Sequence, residues 1–445
     1  MASIVQILTK RTIHRQVLLL SIPMVLSNIT IPLLGLVDAA VIGHLQHAWY
    51  LGGVALGSML ISVCFWLLGF LRMSTTGLSA QAYGSDNKQQ LALIWVQGMM
   101  MSLGFAALFL LLHRVIGDGV LALSDASEQV KHYAQQYFVI RAWSAPAVLI
   151  NLVLLGWLLG TQNAKAPMWM VVITNLTNIV LDIVFVIGFG WKVPGVALAS
   201  VIADYLGMGF GLWCVARFWR AKNLPSPWCL WRQTSQGISR FLRLNRDIFL
   251  RSLCLQAVFS FMTFQGAAFG DHVVAANAVL MSFLMIISYG MDGFAYAIEA
   301  MVGKAVGAKN QQQLKASIIG STFWCILICL ALTLIFALAG SNLIGLITSI
   351  TSVQQTARDY LPWLVAMPLV AMWCFLLDGI FIGATKGREM RNSMFIAASG
   401  FFMVFTLFSA WHNHALWLAM LTFMALRGLS LGWVFYRQWQ QGEFI

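Results

Sequence analysis

The stretch GSDNKQQL, residues 84–91, recurs in the second half of the chain as GAKNQQQL, residues 307–314. Near the ends of the two halves, LWCVARFW, residues 212–219, resembles GWVFYRQW, residues 432–439. Similarity at one nearly constant offset is the signature of a duplicated structural unit. The chain is therefore predicted to contain one unit twice.

Long apolar runs lie on both sides of each repeated segment. Of the 445 residues, 60% are hydrophobic and 9% are charged, whereas about a quarter of a soluble domain is charged. Runs of this length must be helices in hydrocarbon, because the backbone has no other way to satisfy its polar groups there. The predicted spans are residues 17–43, 48–73, 91–113, 134–160, 167–190, 194–216, 247–269, 273–303, 316–340, 360–384, 393–411 and 415–436.

These spans predict an all-α integral membrane protein with about 12 transmembrane helices in two homologous six-helix bundles. An even number of spans per bundle gives both copies one orientation, so a pseudo-two-fold axis along the membrane normal relates them. The predicted domains are an N-terminal lobe (1–216), a basic cytoplasmic connector (217–246) and a C-terminal lobe (247–445).

Glycines recur at the same offset as the repeated octapeptide. The pair Gly156 and Gly160 corresponds to the pair Gly379 and Gly383. A Gly-x-x-x-Gly pair permits close helix approach, at matching places in both bundles. The alternative is plain packing of small residues without functional meaning.

The positive charge is distributed as in a membrane protein. The formal net charge is +12, but the basic residues concentrate in alternate loops and in the connector, which contains Pro225 and Pro227. The positive-inside rule then places both termini in the cytoplasm, and the connector is expected to lie on anionic lipid. The N-terminus has no signal-peptide pattern, so we expect the first helix to be retained in a multi-pass protein of the bacterial-type cytoplasmic (inner) membrane.

Carboxylates inside predicted spans are the candidates for function, because a charge at the centre of a membrane helix costs at least about 2.5–3.5 kcal/mol. Asp182 shares one helix face with Asn178 and Asn175. Asp38 follows Pro23, which predicts a bend in the first helix. Two carboxylates that share a cavity of low dielectric constant can hold a proton near neutral pH, so Asp38, Asn178 and Asp182 are the predicted proton or cation coupling site.

The remaining buried acids have basic candidates for pairing. Asp204 and Arg141 are predicted to form a structural pair. A second acidic group, in the other half, consists of Asp292, Glu299 and Asp378. For this group a role in coupling competes with pairing to Arg251 or Arg427.

Polar residues in the N-terminal lobe are candidates to line a substrate cavity. Tyr137 and Ser200 each need a hydrogen-bond partner inside hydrocarbon. The predicted cavity residues are Tyr137, Asn175, Ser200 and Asn151. The 22 methionines would suit a promiscuous pocket, although lipid contact explains them as well.

At these residues the chain resembles the multidrug and toxic compound extrusion (MATE) family, specifically its DinF-type branch. The likeness covers nearly the whole chain. The segments that carry it are IPLLGLVDAAVIGHL (31–45), RMSTTGLSAQAYG (72–84), NLVLLGWLLG (151–160), NRDIFLRS (245–252), MDGFAYAIEA (291–300) and ALWLAMLTFMALRGLSL (415–431).

The resemblance implies two six-helix lobes around a central cleft and export driven by entry of protons or sodium. The branch's key N-lobe residues correspond to Asp38, Asn178, Asp182, Tyr137, Pro23 and Ser200, the last where Thr is common. The other large branch has a seventh-helix glutamate for sodium. This chain has no acidic residue between Asp247 and Asp271, which weakens a sodium site there, although Asp378 resembles that branch's tenth-helix aspartate.

The predicted function is secondary active multidrug efflux, by antiport of amphipathic, often cationic small molecules against a cation, with H+ favoured. Alternatives within transporters are a flippase or exporter of a lipid or lipid-linked compound, and a Na+-coupled antiporter. A channel lacks a filter-like stretch and an enzyme lacks a recognisable motif, so no catalytic residue, metal or cofactor is predicted. The expected partners are small-molecule substrates and membrane lipids, with no nucleic acid, and the expected state is a monomer.

Overall fold

The computed structural model describes residues 4–43, 47–122 and 124–444, and all regular structure within these ranges is helical. Eleven helices in this part of the chain are long and apolar enough to cross a membrane. A twelfth span comes from a pair, Glu128–Ala142 and Ala145–Gly160, that is bent by 54°. The predicted all-α membrane fold with about 12 spans is therefore confirmed.

The chain divides into two compact units. We call Leu26–Phe241 the N-terminal unit, and Met1–Val25 together with Leu242–Ile445 the C-terminal unit. The first helices are α1 (Ile4–Leu8) and α2 (Arg11–Gly43), and α2 passes from one unit into the other shortly after Pro23. The sequence assigns Met1–Val25 to the N-terminal lobe, whereas contacts such as the 3.1 Å hydrogen bond from Trp324 Nε1 to His14 Nδ1 group this segment with the C-terminal unit. The lobe boundaries themselves stay a prediction.

The N-terminal unit is built from long helices that pack in pairs. Its remaining helices are α3 (Ala48–Leu67), α4 (Phe70–Gly84), α5 (Lys88–Ala122), α6 (Glu128–Ala142), α7 (Ala145–Gly160), α8 (Lys165–Asp182), a π-helical segment (Ile183–Gly188), α9 (Lys192–Lys222) and α10 (Pro227–Trp231). In this unit α3 packs on α6, α4 on α7, and α8 on α9. Trp157 is completely buried and donates a hydrogen bond to the Leu91 carbonyl, 3.0 Å away.

The C-terminal unit is also built from long helices that pack against one another. Its helices after α2 are α11 (Ile238–Ala268), α12 (Asp271–Gly307), α13 (Gln311–Ile347), α14 (Thr351–Gly383), α15 (Gly387–Leu407), a 3₁₀ turn (Ser409–Trp411) and α16 (Asn413–Gln440). Helix α14 packs on α12, α13 and α16, and α15 packs on α16. Within the described residues, α14 is the span with the largest buried share.

The repeated octapeptide forms the same turn in both units. Asp86 and Lys309 adopt left-handed backbone conformations, each with φ of 51°. The next residues, Asn87 and Asn310, cap the following helices, because each side-chain oxygen accepts from the backbone N–H three residues later at 2.9 Å. Asparagine is among the best residues for this capping role. The repeated octapeptide therefore forms the same turn and the same helix cap in both units.

The repeated glycines permit the same close helix contact in both units. A Cβ atom added at Gly160 would lie 2.9 Å from the carbonyl oxygen of Thr76, and one added at Gly383 would lie 2.5 Å from that of Glu299. Thr76 and Glu299 are themselves equivalent positions of the repeat. The predicted close approach is confirmed, between α7 and α4 in one unit and between α14 and α12 in the other.

Candidate functional site

Three polar residues of α8 form a buried face in the N-terminal unit. Asn178 and Asp182 are 1% and 0% exposed, whereas Leu176 and Val180 on the opposite face are 61% and 51% exposed. Asn175, 9% exposed, lies one turn before Asn178 on the same side. The prediction that these three residues share one helix face is confirmed, because all three are buried while the aliphatic residues of the opposite face are exposed.

Hydrogen bonds from this face connect three helices of the unit. Asn178 Nδ2 donates to Ser200 Oγ on α9 at 2.8 Å. Asn175 Nδ2 donates to Thr30 Oγ1 on α2 at 2.6 Å. The candidate cavity residues Asn175, Asn178 and Ser200 are thus brought together with α2, and Thr30 is a member that the sequence analysis missed.

A π-helical segment starts directly after Asp182. It covers Ile183–Gly188, and the ring of Phe185 in it packs on Trp191 with centroids 5.1 Å apart. Short π-helical insertions are rare and occur frequently at functional sites, because the wider turn changes which face a side chain joins. Sequence periodicity gave no signal for this change of helix type beside Asp182.

A second polar cluster lies one helical turn from Ser200, around Asp204 on α9. Asp204 forms a salt bridge with Arg141, and both side chains are largely buried, with 12% and 16% exposed. The predicted pairing of these two residues is therefore observed, and its structural role stays a prediction. The Arg141 guanidinium also donates to the hydroxyl of Ser144.

Two of the predicted cavity residues belong to this second cluster. Asn151 Nδ2 donates to the backbone carbonyl of Asp204 at 3.0 Å. Tyr137, 3% exposed, interacts with the Arg141 guanidinium through its hydroxyl. Ser200 and Asp204 are four residues apart on α9, so the two clusters are neighbours on one helix face.

Asp38 and Pro23 both lie on α2. Pro23 is buried within a helix that continues to Gly43, and the predicted bend stays a prediction. The backbone of Asp38 is helical, but its side chain lies outside the described part of the structure. The predicted proximity of the Asp38 and Asp182 carboxylates therefore also stays a prediction.

The C-terminal unit contains a buried triad of two arginines and one aspartate. Arg251 on α11 and Arg427 on α16 both donate to Oδ2 of Asp378 on α14. The three side chains are 6%, 4% and 9% exposed, respectively. Rings of Phe375 and Phe423 lie 5.9 and 5.5 Å from the Arg427 guanidinium carbon. Of the two possibilities that the sequence left open for Asp378, pairing is the one observed.

The two other acids of this unit lie on α12. Asp292 is half-buried and is close enough to Arg427 to interact with it electrostatically. Glu299 is 1% exposed. Whether either acid takes part in ion coupling stays a prediction.

Comparisons with known proteins agree with this architecture. A family model described as MatE matches residues 23–184 and 248–411. The DNA damage-inducible protein F of Escherichia coli K12 is 48% identical over 428 residues, 96% of this chain and 93% of that protein. The probable multidrug resistance protein NorM of Halalkalibacterium halodurans is 20% identical over 94% of this chain and 92% of that protein. A solved mutant of a MATE transporter from Vibrio cholerae, 20% identical, matches 97% of this chain and 98% of its own with a TM-score of 0.83.

Proposed function

We propose that this chain, which belongs to the MatE family of multidrug and toxic compound extrusion transporters, exports amphipathic, often cationic molecules in exchange for protons. The observation that carries the proposal is the completely buried Asp182 carboxylate, on one helix face with Asn178 and Asn175. A carboxylate at this depth is costly and is expected to serve transport rather than stability.

The contact between Thr30 and Asn175 supports a shared site for the two aspartates. Helices α2 and α8 are the first and fifth spans, so they cross the membrane in the same direction. The side chains of Thr30 and Asn175 join the two helices by a hydrogen bond of 2.6 Å. Asp38 lies eight residues after Thr30 on α2, and Asp182 lies seven residues after Asn175 on α8. At about 1.5 Å per residue, both positions are about 10–12 Å beyond the contact, at one depth in the membrane.

A pair of carboxylates at one depth gives a mechanism for exchange. When both are ionised, their charge favours a bound cation, and when one takes up a proton the site holds the cation less well. Proton entry therefore favours cargo release, and a change of hydrogen bonding at Asp38 lets α2 bend at Pro23. Exchange of one proton for one monovalent cation moves no net charge, and each pH unit supplies about 1.4 kcal/mol, enough for about tenfold accumulation.

The triad in the C-terminal unit weighs against sodium as the coupling ion at Asp378. A carboxylate in the membrane needs a counter-charge, and Arg251 and Arg427 already supply two. A sodium ion at Asp378 would have to displace or join these fixed cations. Asp378 is therefore a poor candidate for coupling, and the carboxylates Asp38 and Asp182, which can share a proton, are the better candidates.

Measurement of protons released on cargo binding tests this function. Purified protein in weakly buffered detergent solution is titrated with a lipophilic cation while the pH is recorded. We expect about one proton released per protein molecule when the cation saturates the protein near neutral pH, and none from Asp182→Asn or Asp38→Asn. Asp118→Asn is a matched control, because this aspartate is exposed and hydrogen-bonds Gln135. Cation binding by wild-type protein without proton release would contradict the proposal.

The proposed location is the cytoplasmic membrane, with both termini and the connector inside the cell. Cys229 in α10 is exposed and reports on the connector. A membrane-impermeant thiol reagent should leave it unmodified in intact cells and modify it after permeabilisation. Labelling from outside intact cells would refute this orientation.

A further inference from the structure

A cavity of about 310 Å³ lies between α11 and α12 in the C-terminal unit. Its lining residues are Met262, Thr263, Val274, Asn277, Ala278, Met281, Ser282 and Met285. This volume is at the lower end of the range for sites that bind small molecules, about 300–1,000 Å³. Three flexible, polarisable thioethers allow such a wall to adapt to ligands of different shape.

The polar groups of the lining are already engaged. Asn277 exchanges two amide hydrogen bonds with Asn413, at 2.8 and 2.9 Å, and accepts a third from Trp417 Nε1 at 2.9 Å. The hydroxyls of Thr263 and Ser282 donate to carbonyls of their own helices at 3.1 and 3.0 Å. With these groups satisfied, the cavity favours the apolar body of a ligand over a strongly hydrogen-bonding one.

A carboxylate lies further along the same face of α12. Met281, Met285 and Asp292 are spaced by four and seven residues, which places them in one row along the helix. Asp292 is two turns, about 10 Å, from Met285. Met285 is 38% exposed and Asp292 is half-buried, so this row is accessible along its length.

The charge around Asp292 suits a cation. Asp292 interacts electrostatically with Arg427, whose guanidinium also holds Asp378. Met281 and Met285 carry no charge, so Asp292 is the charged member of this row of α12. A ligand bound along the row therefore meets a carboxylate, which attracts a monocation and repels an anion.

We propose that this methionine-lined cavity and Asp292 form a second binding site for lipophilic monocations, separate from the Asp182 site. The cavity holds the apolar body of the ligand, and Asp292 offsets its charge. The proposal rests on the proposed function for the class of cargo, but it assigns a binding role to a different part of the chain.

The test compares tetraphenylphosphonium with tetraphenylborate, an anion of the same shape, by equilibrium dialysis against purified full-length protein. The double variant Asp38→Asn, Asp182→Asn removes both carboxylates of the other site. We expect this variant to retain phosphonium binding and to bind borate at least tenfold more weakly. Adding Asp292→Asn should remove the preference for the cation, and Asp292→Glu should retain it.

A second pair of variants tests the cavity itself in the same background. Ala278→Phe fills the cavity and should weaken phosphonium binding at least tenfold, whereas Ala267→Phe, at an exposed residue outside the lining, should not. Equal affinities for the two ions, or equal effects of the two phenylalanines, would overturn the proposal. Both of these results are expected if the cavity holds a lipid chain instead of the cation. If Ala278→Phe fails to fold, the Asp292 variants decide, because Asp292 is only half-buried.

Dialysis uses no gradient, so the result is independent of coupling. Failure of the proposed function would appear as cation binding without proton release at the Asp182 site. Failure of the second site would appear as loss of all phosphonium binding in the double variant Asp38→Asn, Asp182→Asn.

Discussion

Replacement of Asp378 by asparagine should destabilise the protein strongly. In the wild type, one buried carboxylate accepts from two buried guanidiniums. Asp378→Asn leaves Arg251 and Arg427 facing each other without the carboxylate that joins them, and loss of one partner from a buried ion pair costs about 3–5 kcal/mol. Arg251→Met should cost less, about 1.5–3 kcal/mol, because it removes a charged hydrogen bond but leaves the Arg427–Asp378 pair neutral.

The free energy of unfolding can be measured in mixed micelles by titration with a denaturing detergent. Asp359→Asn is the matched control, because Asp359 lies on the same helix, α14, but is exposed, and its substitution should change stability by less than about 0.5 kcal/mol. A loss below about 1 kcal/mol in Asp378→Asn, or a larger loss in Arg251→Met, would refute this account of the triad. Normal stability with abolished transport would instead assign Asp378 to coupling.

Three further substitutions test individual contacts within the units. Asp204→Asn leaves Arg141 without its carboxylate partner and should reduce thermal stability or expression more than it reduces turnover. Melting temperature and efflux are measured on the same preparation. Normal stability with reduced efflux would contradict a structural role for this pair. Gly383→Ala should cost about 1–3 kcal/mol of unfolding free energy, because its Cβ would lie 2.5 Å from a carbonyl oxygen, whereas Gly104→Ala, with open space around it, should not destabilise. Gln97 donates to two connector carbonyls at 2.8 Å each, so Gln97→Ala should speed tryptic cleavage at Arg232 about tenfold or more, and an unchanged rate would exclude this tether.

The fold was largely predictable because the repeat and the hydropathy are strong, independent signals. The constant offset between the two halves recurs in the structure as equal turns, equal caps and equal glycine contacts. Glycine spacing predicted the close approach of helices, since only a residue without a side chain permits such a contact. The bend between α6 and α7 was not predicted, because it falls inside one apolar run.

The candidate site was predictable only as far as residue spacing on one helix allows. The buried face of Asn175, Asn178 and Asp182 follows directly from helical periodicity. Which partners these residues meet on other helices depends on tertiary packing, so Thr30 was missed. The role of Asp378 was left open for the same reason, because its two arginines come from helices distant in the sequence.

The π-helical segment after Asp182 and the grouping of Met1–Val25 with the C-terminal unit also required the structure. Both depend on how helices pack, and neither changes the hydrophobic pattern that the sequence displays.

Efflux from reconstituted vesicles under separately imposed gradients tests proton coupling at Asp182 most directly. Vesicles that contain the purified chain and a lipophilic cation are given a pH gradient alone or a sodium gradient alone. The account predicts efflux under the pH gradient, none under the sodium gradient, and no pH-driven efflux from folded, normally inserted Asp182→Asn. Flux that responds only to sodium, or wild-type pH-driven rates in Asp182→Asn, would contradict it.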